Sequence, residues 1–315
     1  MNKKNRLKQF FKAKKMGGLR HPLCIQSICY PMPFLLQRFL LCICIGSLII
    51  AGGRLLKKGI DNAKIEEQQI EMLQQKIELK EEFRLPLAGV AMFFDAIEFD
   101  KELPILEAKI MPEYQSLYEE NTDLIGWLKI ADTVIDYPVM QTLTDESYYL
   151  NKDFHKEENV NGSLILDTDS IMGIGCKDNN YAEAGGIPPS TNLIIHGHTM
   201  KSGLMFGGLK KYAEESYGKE HSTICFDSLY EKREYEVIAV FYSQVYMSSD
   251  DVFKYYKFFQ ADSKDQFDDW YENIKEMSLY DTEVTAEYGD EFITLSCCSY
   301  QVADGRFVVV GKRIK

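Results

Sequence analysis

Residues 292–314 read F-I-T-L-S-C-C-S-Y-Q-V-A-D-G-R-F-V-V-V-G-K-R-I, two β-rich runs on either side of the turn-forming Ala303-Asp304-Gly305. β-Branched and aromatic side chains fit a pleated, half-buried surface, and an Asp-Gly pair accepts the backbone angles of a tight reversal. The stretch therefore predicts a hairpin, with Cys297 and Cys298 ending its first strand and Arg306 opening its second. A thiol and a guanidinium are held close together on neighbouring strands.

Outward from the hairpin the same texture recurs. After Asp123, short β-rich runs alternate with polar turns, predicting strands at 125–130, 134–140, 163–166, 193–196, 223–226 and 234–242, before the hairpin's own 292–297 and 307–312. Eight short strands at these spacings predict a mainly β fold closed into an eight-stranded barrel. Short helices are expected at 112–121, 147–152 and 204–212. Between the sixth and seventh strands, residues 263–277 place Phe267, Trp270, Tyr271 and Ile274 on one face of a long helix bordering the cysteine-bearing strand.

The chain has 315 residues, 45% of them hydrophobic, ample for a packed core. Its net charge of -12 is divided unevenly: residues 1–60 hold 12 Lys and Arg and no acid, and the remainder carries 24 basic and 48 acidic residues. An acidic body argues against nucleic-acid binding, which needs basic surface to displace counterions. The basic end serves placement instead. Residues 39–53 are uncharged and mostly apolar, flanked by Arg38 and Arg54, whose long side chains can reach a membrane interface. The excess of Lys and Arg before this run is the bias that keeps an N-terminus cytoplasmic.

The expected organisation is a basic cytoplasmic leader (1–33), a single transmembrane anchor (34–56), a helical stalk or linker (57–111) and a catalytic domain (112–315). A cleaved signal peptide is the alternative reading of the apolar run, since Ala51-Gly52-Gly53 offers small residues near a cleavage site. Met16 and Met32 are alternative starts. Within the stalk, Ile70, Leu73 and Ile77 share helical spacing, one apolar face on a spacer otherwise rich in Glu, Gln and Lys.

Eight cysteines stand at 24, 29, 42, 44, 176, 225, 297 and 298 without framework spacing, and a body of this size needs no disulfide staples. A thiol attacks as thiolate, so it needs a neighbour that stabilises the charge or takes the proton, most often a histidine. Of five histidines, His21 precedes the anchor and His155 and His221 lie in polar loops, whereas His196 and His198, in N-L-I-I-H-G-H-T-M, close a buried strand. Cys298 is the leading nucleophile candidate. Arg306 suits the fixed donor to an oxyanion, a role worth about 3 kcal/mol. Each residue also has a plainer reading: a strand cysteine as a small hydrophobe, Arg306 as a salt-bridging barrel residue. His-Gly-His with Cys-Cys as a metal site is disfavoured, because adjacent strand residues project to opposite sides. No metal or cofactor is expected.

T-L-S-C-C-S-Y, with G-R-F-V-V-V-G-K placing Arg306 eight residues after Cys298, occurs together with N-L-I-I-H-G-H-T-M and L-M-F-G-G-L. Upstream lie Y-Q-S-L-Y-E-E-N-T-D-L-I-G-W-L-K-I, I-D-Y-P-V-M-Q, Y-Y-L-N-K-D-F and N-G-S-L-I-L-D. In this order, over 112–315, the chain resembles a sortase, and more narrowly a class B sortase. The resemblance implies a sortase-like eight-stranded β-barrel with N-terminal helices and a long helix inserted between strands 6 and 7. Where the family usually has Tyr-Gly-His and Thr-Leu-Ser-Thr-Cys, this chain has His196-Gly197-His198 and Thr294-Leu295-Ser296-Cys297-Cys298. The resemblance thus implies Cys298 as nucleophile, His198 as catalytic histidine and Arg306 as the family arginine. His196 and Cys297 are departures from the pattern. With Ser296 they border the family's groove, and Leu150 matches a hydrophobic groove residue, so these four are expected to bind substrate.

The activity so implied is that of a membrane-anchored cysteine transpeptidase. It would cleave a C-terminal sorting motif of secreted proteins through a cysteine thioester and pass the acyl group to an amine of a peptidoglycan precursor, or to a pilin lysine. The implied partners are motif-bearing secreted proteins, the precursor amine and the membrane. The implied location is the cell membrane, single-pass, with the N-terminus cytoplasmic and the catalytic domain extracellular. Two readings from other classes are a membrane-tethered binding or metal-binding module with structural Cys and His, and a Cys-His cell-wall hydrolase, which has no need of Arg306.

Overall fold

Backbone pairing joins the β-rich runs into a ring. The computed structural model describes residues 34–82, 109–175 and 187–315; the basic leader with His21, Cys24 and Cys29, the linker residues 83–108, and Cys176 lie outside the described residues. The strands are β1 (Leu124–Lys129), β2 (Asp136–Met140), β3 (Leu164–Leu166), β4 (Asn192–Gly197), β5 (Thr223–Ser228), β6 (Glu234–Gln244), β7 (Phe292–Ser299) and β8 (Gly305–Arg313). Each strand read from the sequence is present, with its ends displaced by no more than two residues. Their spatial order is β1-β2-β3-β4-β7-β8-β6-β5, closed by antiparallel pairing of β1 with β5. Closure leaves no unpaired edge. The pairs β2/β3 and β4/β7 are parallel.

Alternation along the strands sorts two faces. Leu193, Ile195, Ile293, Leu295, Cys297, Phe307 and Val309 fill the barrel interior. Phe292, Val308 and Val310, from the same strands, point outward into a second apolar cluster with Phe267, Trp270 and Ile274. These last three lie on α4 (Lys264–Met277), which stands between β6 and β7 in chain order. Ser263 caps that helix by accepting the Gln266 N–H at 3.3 Å. Phe258 stacks on Trp270 with ring centres 4.4 Å apart, and Phe292 meets Trp270 edge-on at 4.8 Å.

The long N-terminal helix α1 (Phe34–Glu82) belongs to two units, one ending at Gly53 and one running from Arg54 to Lys315. It contains the one helix segment among the described residues that is long and apolar enough to cross a membrane, with a mean hydropathy of 2.2. Within the second unit, the helix is docked on the barrel rather than free in solvent. Asp61, Ile65, Gln68 and Met72 are buried, a spacing of one helix face. Gln68 donates to Asp153 at 3.1 Å, Gln69 donates to the Asp136 carbonyl at 2.7 Å, and Lys64 pairs with Asp153 and Glu157. Lys76 sits 4.1 Å from the Trp127 ring centre. The docked face differs from the apolar spacing read in the sequence: Ile70 is 57% exposed, Leu73 packs only at the margin, and the side chain of Ile77 lies outside the described residues. The cause is tertiary, because polar groups on the barrel satisfy Lys64, Gln68 and Gln69 and make their side of the helix the one that can be buried.

Two further helices complete the shell. In α2 (Pro112–Glu120), Tyr114 and Leu117 pack beside Trp127 and Met72. The helix expected at 204–212 is a 3-10 turn, Leu209–Ala213, followed by α3 (Glu215–Glu220), which has no apolar periodicity to announce it.

Candidate active site

Three strands converge on one outer patch of the barrel. On β7 and β8, Cys298 and Arg306 are direct cross-strand partners. On β4 and β7, His196 pairs with Ser296 and Gly197 with Cys297, so the same register continued by one residue sets His198 beside Cys298. Because side chains alternate, His196, His198, Ser296, Cys298 and Arg306 share the outer face, opposite the interior residues Ile195, Leu295, Cys297 and Phe307. They line a groove of about 300 Å³ whose other wall carries Glu146, Ser147, Leu150, Ser163 and Ile165.

The two cysteines occupy different environments. Cys298 is half-exposed in the groove. Cys297 also borders the groove but is 2% exposed and packed in the interior cluster. Burial pushes its thiol up to about 11, against the smaller opposing effect of a hydrogen bond with Thr199. Cys297 is held as a thiol where Cys298 meets solvent.

His198 Nε2 lies 2.7 Å from the Leu150 carbonyl oxygen. A carbonyl only accepts, so Nε2 carries a hydrogen, and in the neutral ring Nδ1 is the nitrogen left able to accept one. The next residue, Thr199, donates its hydroxyl to the Cys298 carbonyl at 2.7 Å, tying the histidine loop to the cysteine strand. Gly197 permits this arrangement: a Cβ there would meet Leu164 Cδ2 and Phe206 Cδ2, each at 2.6 Å. Arg306 donates through Nη1 to the Asp304 and Gly305 carbonyls at 3.3 and 3.1 Å. Both of these bonds go to backbone carbonyls and none to a carboxylate among the described residues, so the salt-bridge reading of Arg306 finds no support there.

The remaining residues expected in the groove are present with partners of their own. Ser296 is buried, its Oγ 2.8 Å from the Tyr255 hydroxyl. Leu150 is 40% exposed on the 3-10 turn Tyr148–Asn151. His196 Nε2 bonds Asp167 Oδ2 at 3.0 Å. Burial works to raise the Asp167 carboxyl, but the His196 bond and a backbone N–H outweigh it and hold Asp167 below the usual carboxylate range. Glu146 is shifted upward, first by burial and then by the Asp167 charge. Ligating atoms of Glu146, Asp167 and His196 lie within 4.8 Å of one another, the one such grouping among the described residues able to approach a cation. His155 and His221 are engaged elsewhere, by Glu120 and by the Tyr217 carbonyl. Sequence reasoning did not single out Thr199, Tyr255, Asp167 or Glu146. Two of these carried a signal: Thr199 directly follows His198, and Asp167 ends the L-I-L-D run.

No family model matches the chain. Sortase B of Listeria monocytogenes is 31% identical over 211 residues, covering 66% of this chain and 77% of that protein. Sortase B of Staphylococcus aureus is 29% identical over 211 residues, covering 65% of this chain and 76% of that protein. Among solved structures, the fold is similar to a Staphylococcus aureus sortase B–substrate complex, with a TM-score of 0.61 and 23% identity over 81% of this chain and 99% of that one. A Bacillus anthracis protein described as similar to sortase B aligns with a TM-score of 0.54 and 27% identity over 72% of this chain and 94% of that one. With this identity and coverage behind it, the chain belongs to the class B sortases, the sortase B family of cysteine transpeptidases.

Proposed function

We propose that Cys298, His198 and Arg306 carry the transpeptidation, and that Ser296, Leu150, His196 and Cys297 shape the groove that receives a C-terminal sorting motif. The observation behind this reading is the register that sets a thiol, an imidazole and a guanidinium side by side on one outer face. The Cys298 thiolate attacks the scissile carbonyl carbon, and the resulting oxyanion accepts hydrogen bonds from Arg306. Collapse of the tetrahedral intermediate breaks the C–N bond, and His198 gives the leaving amine its proton, leaving a thioester. An acceptor amine then attacks that thioester, His198 takes its proton, and the Cys298 thiolate departs. The acceptor is an amine of a peptidoglycan precursor or a pilin lysine.

The same reading keeps the arrangement of leader (1–33), membrane anchor (34–56), linker (57–111) and catalytic domain (112–315), N-terminus inside and barrel outside. It is supported by the apolar helix and by the 12 Lys and Arg, with no acid, in residues 1–60. The test is cleavage of a peptide library by the full chain in detergent, with and without an added amine. Cys298→Ala should abolish cleavage, Cys297→Ala should retain it, and the amine should appear in the product. Loss of activity in the Cys297 variant with survival in the Cys298 variant would overturn the assignment.

A further inference from the structure

Gly162 stands behind the histidine's hydrogen-bond partner. It has φ +59°, in the left-handed region, and a Cβ built on it would lie 2.4 Å from the Leu150 carbonyl oxygen and 2.8 Å from that of Tyr149. The turn that brings it there is fixed locally. Asn159 Oδ1 accepts the Asn161 N–H at 3.0 Å, the Gly162 N–H bonds the Asn159 carbonyl at 3.1 Å, and Ser163 N–H reaches the Tyr149 carbonyl at 3.0 Å. The Leu150 carbonyl oxygen thus meets two groups: Gly162, whose Cβ would lie 2.4 Å from it, and His198 Nε2, 2.7 Å away.

We propose that Gly162 is a positioning residue for the transpeptidation: its missing side chain lets the Leu150 carbonyl sit where it fixes His198 in the Nε2–H tautomer, with Nδ1 turned to the proton transfers. This rests on the reading of His198 as the catalytic histidine. A methyl group at 162 forces a retreat, because moving a backbone oxygen from 2.4 Å out to even a tight 3.0 Å contact takes about 0.6 Å. Taken along the 2.7 Å bond to His198 Nε2, a shift of that size exceeds the span of about 0.5 Å that the usual N–H···O range allows, so the oxygen no longer sits where it holds the imidazole. A neutral imidazole without its acceptor populates both tautomers, and the Nδ1–H form cannot take a proton at Nδ1. Leu150 acts here through its backbone, so its side chain is dispensable to this role.

The experiment uses the full chain in detergent micelles with ¹⁵N-labelled histidine, together with cleavage of the peptide that the library assay selects. In the wild type, the neutral His198 signal is expected to show protonated Nε2 and bare Nδ1. Gly162→Ala should show an averaged tautomer signal and a roughly tenfold lower kcat with little change in KM, whereas Leu150→Ala should keep the tautomer. A wild-type His198 that is Nδ1–H, or already averaged, overturns the proposal even if the Gly162 variant fails to fold. So does a folded Gly162→Ala chain whose tautomer and kcat are unchanged. His198→Ala separates the two readings: cleavage that survives this change removes the catalytic role of His198 whatever the Gly162 variant does.

Discussion

Burial of Cys297 leads to a quantitative expectation for the thiol next to the proposed nucleophile. Its value is shifted from 9.0 to about 11, so at pH 8 the folded chain holds about a hundredfold less Cys297 thiolate than an ordinary exposed cysteine. In a Cys298→Ala chain, iodoacetamide should therefore label Cys297 at least ~100-fold more slowly than it labels the same residue in urea, with the rate rising about tenfold per pH unit towards pH 11. The same shift has a thermodynamic counterpart. The unfolded thiol ionises near 9 while the folded one keeps its proton to about 11, so the unfolded state sheds protons first and stability falls as pH rises through that window. The loss amounts to about 3 kcal/mol, and Cys297→Ala should remove it. Site-resolved mass spectrometry reads the labelling, and urea unfolding at pH 8, 9.5 and 11 reads the stability. Labelling of folded Cys297 within tenfold of the urea rate, or identical pH dependence in wild type and Cys297→Ala, would refute the reasoning.

Two further expectations follow from the outer cluster and from the His196 pair. Trp270 is 2% exposed between Phe258 and Phe292, so Trp270→Ala should lower stability by about 3–5 kcal/mol, and an unchanged urea midpoint would mean that α4 does not hold the barrel wall. Asp167 is held below its ordinary range, so its stabilisation is complete above about pH 4 and is lost as pH falls through its lower folded value. Asp167→Asn should therefore melt below wild type at pH 6, with the gap narrowing as pH falls below about 4; a difference that does not narrow would point to packing instead.

The barrel was legible in the sequence because each strand is a short run in which one face enters a core. Strand geometry turns Cys297 and Cys298 to opposite faces, but 292–299 is buried on both faces, so which of the two looks outward was legible only with the family pattern. The face of α4 was plain, four large side chains at helical spacing. What local pattern could not supply is partner choice. Nothing in 192–197 says that it runs parallel to 292–297, and that pairing is what seats His198 beside Cys298. The docked face of α1 was hidden for a related reason: Asp61 and Gln68 are polar and yet buried, so apolar spacing pointed to Ile70 instead. The Leu150 carbonyl was out of reach altogether, since a backbone acceptor leaves no mark in a sequence. Its one trace is the glycine in N-G-S-L-I-L-D, which read as part of a motif before it could be read as geometry.

The parallel pairing of β4 with β7 joins residues a hundred positions apart, from Asn192 against Phe292 to Gly197 against Cys297. Bringing such distant segments together costs loop entropy that local contacts do not repay, so this seam is among the slow steps of folding. Until it zips, the imidazole and the thiol belong to separate pieces of chain. In a partly folded molecule Cys298 and His198 are thus apart, and they meet only when the barrel is shut. If these two residues carry the transfer as proposed, turnover reads out the β4–β7 seam, and conditions that open the seam should silence the chemistry before they melt the rest of the sheet.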